Sequence, residues 1–432
     1  ATSNLENEVR ALCYDQRNNK LMIGNKAGTL FLIDNDGNRT AITHDSDGNP
    51  LRRIYGITKG QNGSFWICSK DAGLFHMIPT GNGWTIKNYC HVDGNPKTIN
   101  HNGAYQAVLD KQGYLWVATY GGGVNIMTKD SKGEPVFLSP DNGMPEYPKN
   151  GYRKVRTIEA DNDGHVWAGT TDGILILSYK NGKVSAEKLK MPEQGNQMLM
   201  SNDVVCIRRD KKGAMWVGTN GGGIAYTVGQ EQDGTWLFDT FDAKDGLPSE
   251  EIRSITFDQY GNAWFASENI IFSFDVTKKI FTTFSNLDGV DETIMSEGGA
   301  ITTGNGNILF GTLDGYYVVD RKKLMTTQGS LLRLQITDFF IDEQIQSPRL
   351  NNYYDYYVPG SKSVTLPSRS NSFAFRFAAL NFQLQHRVHY QYMLEGYDKD
   401  WQNAGKDRMA VYSDVPSGTY TFKVKAFLLE SP

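Results

Sequence analysis

The stretch Gly164-His-Val-Trp-Ala-Gly-Thr170 is one copy of a short phrase that recurs along the chain. The phrase consists of Gly, any residue, an apolar residue, Trp, a second apolar residue, Gly or Ala, and Thr or Ser. The copies place Trp, or Met or Leu in the two outermost copies, at Met22, Trp66, Trp116, Trp167, Trp216, Trp264 and Leu309. Successive copies are 44 to 51 residues apart, a spacing typical of β-propeller blades.

The residues around each copy match the pattern of a four-stranded blade in which the copy itself is the second strand. Residues 252–258 precede a copy and alternate in polarity, which favours a half-buried strand. A following Asp-x-x-Gly is typical of a hairpin turn, and glycine-rich stretches such as 121–123 predict the next turn. Residues 174–177 and 236–241 are examples of the third and fourth strands. The sequence therefore predicts an all-β chain whose residues 1–328 form a seven-bladed β-propeller, with each Trp packed between neighbouring blades.

The repeat stops near Asp320, and a different alternation follows. Aromatic residues then recur at every second position, as in Phe373, Phe375 and Phe377. About 100 residues of such strands, separated by turn signals, predict an immunoglobulin-like β-sandwich over residues 329–432. Only five residues follow the last alternating segment, 420–427, where a sandwich often has one further strand. A continuation beyond residue 432 is therefore expected.

Composition narrows the function classes. The 432 residues include 44 basic and 48 acidic side chains, for a net charge of −4. Without a basic run, nucleic acid is not expected as a partner. No apolar run approaches the roughly 18 residues that a membrane helix needs, and no signal peptide is visible. Four cysteines fit no metal motif and are expected to be buried free thiols; they are Cys13, Cys68, Cys90 and Cys206.

No residue pattern predicts a catalytic, metal or cofactor site. His386 and His389 are three apart on a predicted strand, so their rings point to opposite faces. Asp34 and Asp45 open stretches like the start of a calcium loop, but the Glu at the twelfth position is missing, which favours simple turns. No Gly-x-Ser-x-Gly elbow occurs. A glycosidase carboxylate pair among so many acidic residues stays open.

One position of the predicted innermost strands is rich in Arg and Tyr. When the first strands are aligned on their closing residue, the residue five positions earlier is, in order, Arg10, Tyr55, Tyr105, Arg156, Val205 and Arg253. This position lies near the channel and on the face of the long, variable crossings between blades, a face suited to recognition. Weaker candidates on the same face follow the second strands: Tyr120, Asn220 and Asn269.

These side chains suit a sugar ligand. Arginine forks hold carboxylate or sulfate at two points, and a tyrosine ring offers a flat face and a hydroxyl. One hypothesis is an oligosaccharide site at the channel mouth, including an acidic oligosaccharide. The alternative is that the arginines pair with neighbours such as Asp203 or Glu251 and line a water-filled channel.

The repeated phrase resembles the two-component regulator propeller repeat, and residues 390–401 with 411–426 resemble the triple-tyrosine (Y_Y_Y) domain. In that order, the two resemble the periplasmic sensor region of hybrid two-component system proteins of the Bacteroides type. The resemblance implies recognition of oligosaccharides released from glycans, in a homodimer. It also implies a following membrane helix, a histidine kinase, a receiver and a DNA-binding domain outside this sequence. Members often carry two propellers, so a ligand between two propellers is a further possibility.

The sequence thus predicts a periplasmic, non-catalytic sensor. Ligand binding at the propeller would change how two sandwich domains sit in the dimer, and a following helix would be the only membrane contact. Two other functions stay open: a propeller enzyme acting on polysaccharide, as lyase or hydrolase, and a protein-interaction scaffold.

Overall fold

The computed structural model describes residues 2–284, 294–320, 334–342, 344–346, 362–367, 369–379 and 388–428. The chain divides into two compact units, Ala1–Arg321 and Lys322–Pro432. Regular structure in the described residues is β-strand, apart from a short 3-10 helix at Ala243–Asp245. No helix in this part of the chain has the length and apolar character to cross a membrane.

The first unit contains seven four-stranded antiparallel sheets among its described residues, in agreement with the predicted seven-bladed propeller. Strand β1 is Thr2–Asn4. Blade 1 contains β2 (Val9–Asp15), β3 (Lys20–Asn25), β4 (Leu30–Ile33) and β5 (Arg39–Ile42). Blade 2 contains β6 (Ile54–Lys59), β7 (Phe65–Ser69), β8 (Gly73–Thr80) and β9 (Gly83–Tyr89). Blade 3 contains β10 (Ala104–Leu109), β11 (Leu115–Thr119), β12 (Gly123–Lys129) and β13 (Pro135–Leu138).

The remaining blades repeat this order. Blade 4 contains β14 (Val155–Ala160), β15 (Val166–Thr170), β16 (Gly173–Lys180) and β17 (Lys183–Lys188). Blade 5 contains β18 (Val204–Arg209), β19 (Met215–Thr219), β20 (Ile224–Gln230) and β21 (Trp236–Phe241). Blade 6 contains β22 (Ser254–Phe257), β23 (Ala263–Ala266), β24 (Ile271–Asp275) and β25 (Ile280–Phe284). Blade 7 contains β26 (Met295–Thr302), β27 (Ile308–Thr312) and β28 (Gly315–Val319), and its fourth strand is β1.

The two ends of the propeller meet in blade 7. Strand β1 pairs antiparallel with β28, with Ser3 opposite Tyr316. The outermost strand of the last blade therefore comes from the start of the chain, which closes the ring through backbone hydrogen bonds. The sequence analysis did not predict this pairing, because three residues are too few to show an alternating pattern.

The phrase residues pack between blades, as predicted. Trp167 is fully buried and lies in one cluster with Val204 and Ile207 of blade 5. At the two ends of the series, Met22 packs against blade 2 and Leu309 packs against blade 1. In blades 1 to 5 and 7, the apolar residue of the second strand thus packs against the next blade.

In four blades, an Asp links the first hairpin to the Trp of the phrase. In blade 5, Asp210 Oδ1 accepts the backbone N–H groups of Lys212 (2.8 Å) and Ala214 (3.0 Å), and Asp210 Oδ2 accepts Trp216 Nε1–H at 2.9 Å. The same indole bond occurs at Asp110–Trp116, Asp161–Trp167 and Asp258–Trp264. One carboxylate therefore caps the turn and satisfies the indole donor at once.

Blade 2 departs from this pattern in a way that explains its sequence. Gly60 stands where blades 1 and 3 to 6 have Asp, and a Cβ there would overlap Ser64 Oγ. The Trp66 indole instead stacks on the His76 ring, with centroids 3.8 Å apart and planes 3° from parallel. The Ser64 hydroxyl lies 3.0 Å from His76 Nε2 and fixes that ring. A second aromatic ring thus replaces the carboxylate in holding the tryptophan.

We expect Asp210→Ala to lower the free energy of unfolding of the propeller by about 2–3 kcal/mol, because it removes two turn hydrogen bonds and leaves the indole N–H of Trp216 unsatisfied. Urea unfolding followed by circular dichroism measures the loss. Asp233→Ala is the matched control, because exposed Asp233 holds the backbone N–H of Thr235 (3.0 Å) in a turn of the same blade. Equal effects of the two substitutions would contradict the role given to the indole bond.

The second unit is an immunoglobulin-like β-sandwich. Its strands are β29 (Leu334–Ile341), β30 (Gln344–Ile345), β31 (Phe373–Ala379), β32 (Val388–Glu395), β33 (Gln402–Gly405), β34 (Met409–Tyr412) and β35 (Thr421–Leu428). One sheet has the order β30-β29-β31-β34 and the other β33-β32-β35. Phe377 of the first sheet and Tyr390 of the second are fully buried in the same cluster, and Phe375 stacks on Phe422 at 4.0 Å. The aromatic alternation noted in the sequence is the inner face of this sandwich.

Three smaller predictions concern cysteines, turns and histidines. Cys13, Cys68 and Cys206 are buried free thiols, but Cys90 is partly exposed, so the expectation of burial is wrong there. Cys90 comes just after β9, the outermost strand of its blade.

The Asp34 and Asp45 stretches are turns, with each carboxylate held by backbone and side-chain N–H groups of the residues that follow. His389 lies on β32, whereas His386 lies outside the described residues.

Candidate functional site

The predicted candidate position coincides with a repeated β-bulge. In blades 1 to 5 the register between the first and second strands shifts at one residue, and these residues are Arg10, Tyr55, Tyr105, Arg156 and Val205. A bulged residue is left out of the ladder and its side chain is redirected. The bulge explains why this position can carry large polar side chains within otherwise buried strands. In blade 6, Arg253 directly precedes β22.

The face of the propeller that holds these bulges also holds the crossings between blades. The N–H groups of Gly121 and Gly123, in a second-to-third turn, donate to the Arg153 carbonyl in the next crossing at 2.8 and 3.0 Å. In blade 5, the N–H groups of Gly221 and Gly223 likewise donate to the Glu250 carbonyl in the following crossing. The turns and the crossings therefore form one surface, and we call the part of it around the bulged residues the channel mouth.

Three tyrosines form a ladder at the channel mouth. Tyr55 and Tyr105 meet edge to face with centroids 4.8 Å apart, and Tyr105 stacks on Tyr120 at 4.9 Å with planes 10° from parallel. Tyr55 and Tyr105 are buried, whereas Tyr120 is half-buried. Burial raises the pKa of Tyr105 to about 12, so its hydroxyl stays protonated. The two buried rings support Tyr120, which is the ring that reaches the surface.

Arg10 fills the space beside this ladder. Its guanidinium lies over the Tyr55 ring at 4.2 Å and donates from Nη2 to Glu297 Oε2 at 2.9 Å. Glu297 belongs to β26, the innermost strand of blade 7, in a segment where the register with β27 is interrupted between Met295 and Ala300. Glu297 could not be found by aligning the first strands, because blade 7 has no Asp or Gly at the position that closes them. The Gly298-Gly299 pair beside it was the available signal.

Hydrogen bonds across the ring show that the channel is narrow at this level. Arg208 Nη2 of blade 5 donates to the Gly298 carbonyl of blade 7 at 3.2 Å, although the two blades are not neighbours. The Gly298 N–H donates in turn to the Arg253 carbonyl at 2.8 Å. Side chains and strand β26 thus close part of the channel, and a ligand at the mouth would rest on this floor.

A polar group of three side chains lies next to Tyr120. Arg156 Nη1 donates to Asp203 Oδ1, and Asn220 Nδ2 donates to Asp203 Oδ2 at 3.1 Å. Arg156 lies 6.0 Å from the Tyr120 ring centroid. Burial lowers the pKa of Arg156 while the Asp203 carboxylate raises it, and the net direction is upward. Asn220 is exposed, and its amide lies beside the partly exposed carboxylate of Asp203.

The partner of Arg253 differs from the sequence hypothesis. Arg253 Nη2 lies 3.8 Å from Glu268 Oε1, and its Nη1 donates to the Met295 carbonyl at 2.7 Å. Glu251, suggested in the sequence analysis, is not its ion-pair partner among the described residues. Glu268 directly follows the phrase residue Ser267 and so corresponds to Tyr120 and Asn220. Asn269 is exposed and lies one residue further on, out of register with those two.

Comparison with known families agrees with the repeat and the sandwich. The two component regulator propeller family matches residues 198–221 and 246–269. Each segment holds the first two strands of a blade and the crossing before them, which are the parts that build the channel mouth. The Y_Y_Y domain family matches residues 381–428.

Individual relatives are distant. Histidine kinase P4 of Formosa agariphila is 22% identical over 362 residues, which are 82% of this chain and 25% of that protein, so the chain spans a quarter of its relative's length. The extracellular domain of a hybrid two component system from B. thetaiotaomicron is 17% identical, with a TM-score of 0.49 over 98% of this chain and 67% of its own. Virginiamycin B lyase from Staphylococcus aureus is 15% identical, with a TM-score of 0.54 over 73% of this chain and 95% of its own.

At these identities, the likeness to the lyase concerns the propeller fold alone. The family matches are more specific, because they coincide with blades 5 and 6 and with the sandwich strands β32 to β35. The chain therefore contains two component regulator propeller repeats followed by a Y_Y_Y domain.

Proposed function

We propose that this chain is the extracytoplasmic, periplasmic sensor region of a hybrid two-component histidine kinase. It binds oligosaccharides derived from glycans at the channel mouth and has no enzymatic activity of its own. The sandwich relays the bound state, within a homodimer, to a kinase that a membrane helix connects to it. The named histidine kinase relative and the two matched families support this proposal.

One observation carries the ligand-binding part: a tyrosine platform lies beside a hydrogen-bonding trio. Tyr120 offers a flat apolar face supported from below by Tyr105. Arg156, Asp203 and Asn220 lie beside it and supply hydrogen-bond donors and acceptors. Sugars present apolar C–H faces and neighbouring hydroxyl pairs, which need such a combination of stacking and paired polar groups.

We propose different roles for the individual candidate residues. Arg10 and Arg156 each have a carboxylate partner, so they hold Glu297 and Asp203 in position. Tyr55 and Tyr105 are buried and support the platform. Tyr120, Asn220 and Asp203 are the groups that a sugar would touch, whereas Arg253 and Asn269 belong to blade 6.

Calorimetry with a panel of plant, algal and host glycan oligosaccharides tests the proposal on the 432-residue chain. We expect at least one member to bind, and we expect Tyr120→Ala to weaken that binding at least about tenfold because it removes the stacking surface. Arg156→Ala should weaken it as well by releasing Asp203, and Arg253→Ala should have the smaller effect. Tyr260→Ala is the control, since this tyrosine is 60% exposed on the opposite face, in a first-to-second turn.

Binding that survives Tyr120→Ala and Arg156→Ala unchanged would exclude this site. Product analysis of the same mixtures separates sensing from catalysis, because conversion of a bound oligosaccharide would favour a polysaccharide-degrading propeller over a sensor.

A further inference from the structure

The cations around the channel mouth fall into two groups. Most of them have a carboxylate partner: Arg10 with Glu297, Lys26 with Glu8, Arg53 with Asp71, Arg153 with Asp141, Arg156 with Asp203 and Arg253 with Glu268. Each such charge is largely neutralised within the protein. These pairs therefore shape the mouth without offering a free charge to a ligand.

Lys70 and Lys154 form the second group. Lys70 Nζ lies 5.5 Å from the Tyr55 ring centroid, and Lys154 Nζ lies 5.8 Å from the Tyr120 centroid. No ion pair within the described part of the chain involves either ammonium. They stand at the two ends of the tyrosine ladder, Lys70 partly exposed and Lys154 exposed.

The backbone places both lysines at the mouth. Lys70 directly follows β7, the position that Tyr120 has after β11 and Asn220 has after β19. Lys154 lies in the crossing that leads to β14 and forms an isolated bridge with Tyr120. The positions are thus fixed by strand ends and by a backbone pairing, which is the kind of support that a recognition site needs.

We infer that the oligosaccharide recognised at the channel mouth is anionic, and that Lys70 and Lys154 bind its carboxylate or sulfate groups on either side of the Tyr120 platform. This inference rests on the proposed function and names the chemical class of its ligand. An ammonium over a tyrosine face keeps its three N–H donors for other acceptors. An anionic group is the acceptor that such a donor binds most strongly, through a charge-assisted hydrogen bond.

The arrangement also explains why the arginines are paired. Asp203 and Glu297 would repel an anionic ligand if their charges were free, and Arg156 and Arg10 neutralise them. The two lysines, in contrast, have no carboxylate partner among the described residues. Binding that depends on these charges must weaken as salt screens them.

The test compares charged and neutral forms of one backbone, namely oligogalacturonates and their methyl esters, with sulfated chondroitin oligosaccharides as the sulfate arm. The proteins are the 432-residue chain, Lys70→Gln/Lys154→Gln, and Lys87→Gln. Lys87 is the matched control, because its ammonium also lies over a tyrosine ring, Tyr89, at 5.2 Å, but on the outermost strand β9. Calorimetry at low and at moderate salt gives the dissociation constants.

We expect a charged oligosaccharide to bind at least tenfold more tightly than its neutral form, and the double substitution to remove most of that difference and of the salt dependence. Lys87→Gln should leave binding within about twofold. Neutral members that bind as well as charged ones, with affinity sensitive to Tyr120→Ala and indifferent to the lysines, would overturn the inference and leave the proposed function standing. Failure of every member of this and the wider panel to bind would overturn both.

Discussion

Trp167→Ala is expected to lower the free energy of unfolding of the propeller by about 3–5 kcal/mol, the range for truncating a buried aromatic side chain. The Trp167 ring is fully buried and packs against Val204 and Ile207 of blade 5. It also meets Trp236 edge to face at 5.0 Å, and its Nε1–H donates to Asp161 at 3.2 Å. Alanine would leave a cavity between two blades, and a rigid ring of sheets cannot close around that cavity.

Urea unfolding followed by circular dichroism measures this loss, read from the transition of the propeller. Trp401→Ala is the control: the same substitution in the second unit, at a side chain that is 38% exposed and has Lys425 over its ring at 4.1 Å. It should leave the propeller transition where it is. A propeller midpoint unchanged by Trp167→Ala would mean that this indole does not hold blades 4 and 5 together.

The propeller could be predicted because its blades repeat one short sequence pattern. The phrase, its Asp and its glycine turn lie within one hairpin, so their spacing reflects hydrogen bonds such as Asp210 to Trp216. Ring closure by β1 could not be predicted, because it joins the two ends of the propeller through a three-residue strand. Local pattern carries no information about that pairing.

The candidate site was predicted in part, for a similar reason. Alignment on the closing Asp located the bulged residues, since each bulge keeps a fixed distance from its hairpin. Which side chains of the channel mouth reach the surface depends on the neighbouring blades. Tyr55 and Tyr105 are buried, whereas Tyr120 is half-buried. The charge state of the mouth depends on pairs such as Arg10 with Glu297, which are 287 residues apart. Such contacts form because the closed ring brings distant residues together, and the repeated sequence pattern does not reveal them.

Gly311→Ala is expected to destabilise the propeller strongly, although it adds only one methyl group. Gly311 occupies the Gly or Ala position of the blade 7 phrase, and a Cβ there would overlap the Val9 carbonyl oxygen and lie 3.0 Å from its carbonyl carbon. At Gly24, Gly169 and Gly218 the nearest atoms to the same Cβ belong to side chains. A backbone carbonyl of strand β2 cannot move without shifting the strand, so we expect a loss of about 3 kcal/mol, at the upper end for overpacking.

Gly311→Ala should mainly affect the part of the propeller where the two ends of the ring meet. Gly311 lies on β27, between β26 and β28, so a displaced blade 7 strains both its contact with blade 1 and the pairing of β28 with β1. Hydrogen exchange should therefore rise first in β1, β2 and β28, together with the lower unfolding midpoint. Gly229→Ala is the control, because Gly229 is also a strand residue and its added Cβ would meet nothing within 4 Å. If both substitutions left exchange in β28 unchanged, the ring would not depend on the close approach of Gly311 to Val9.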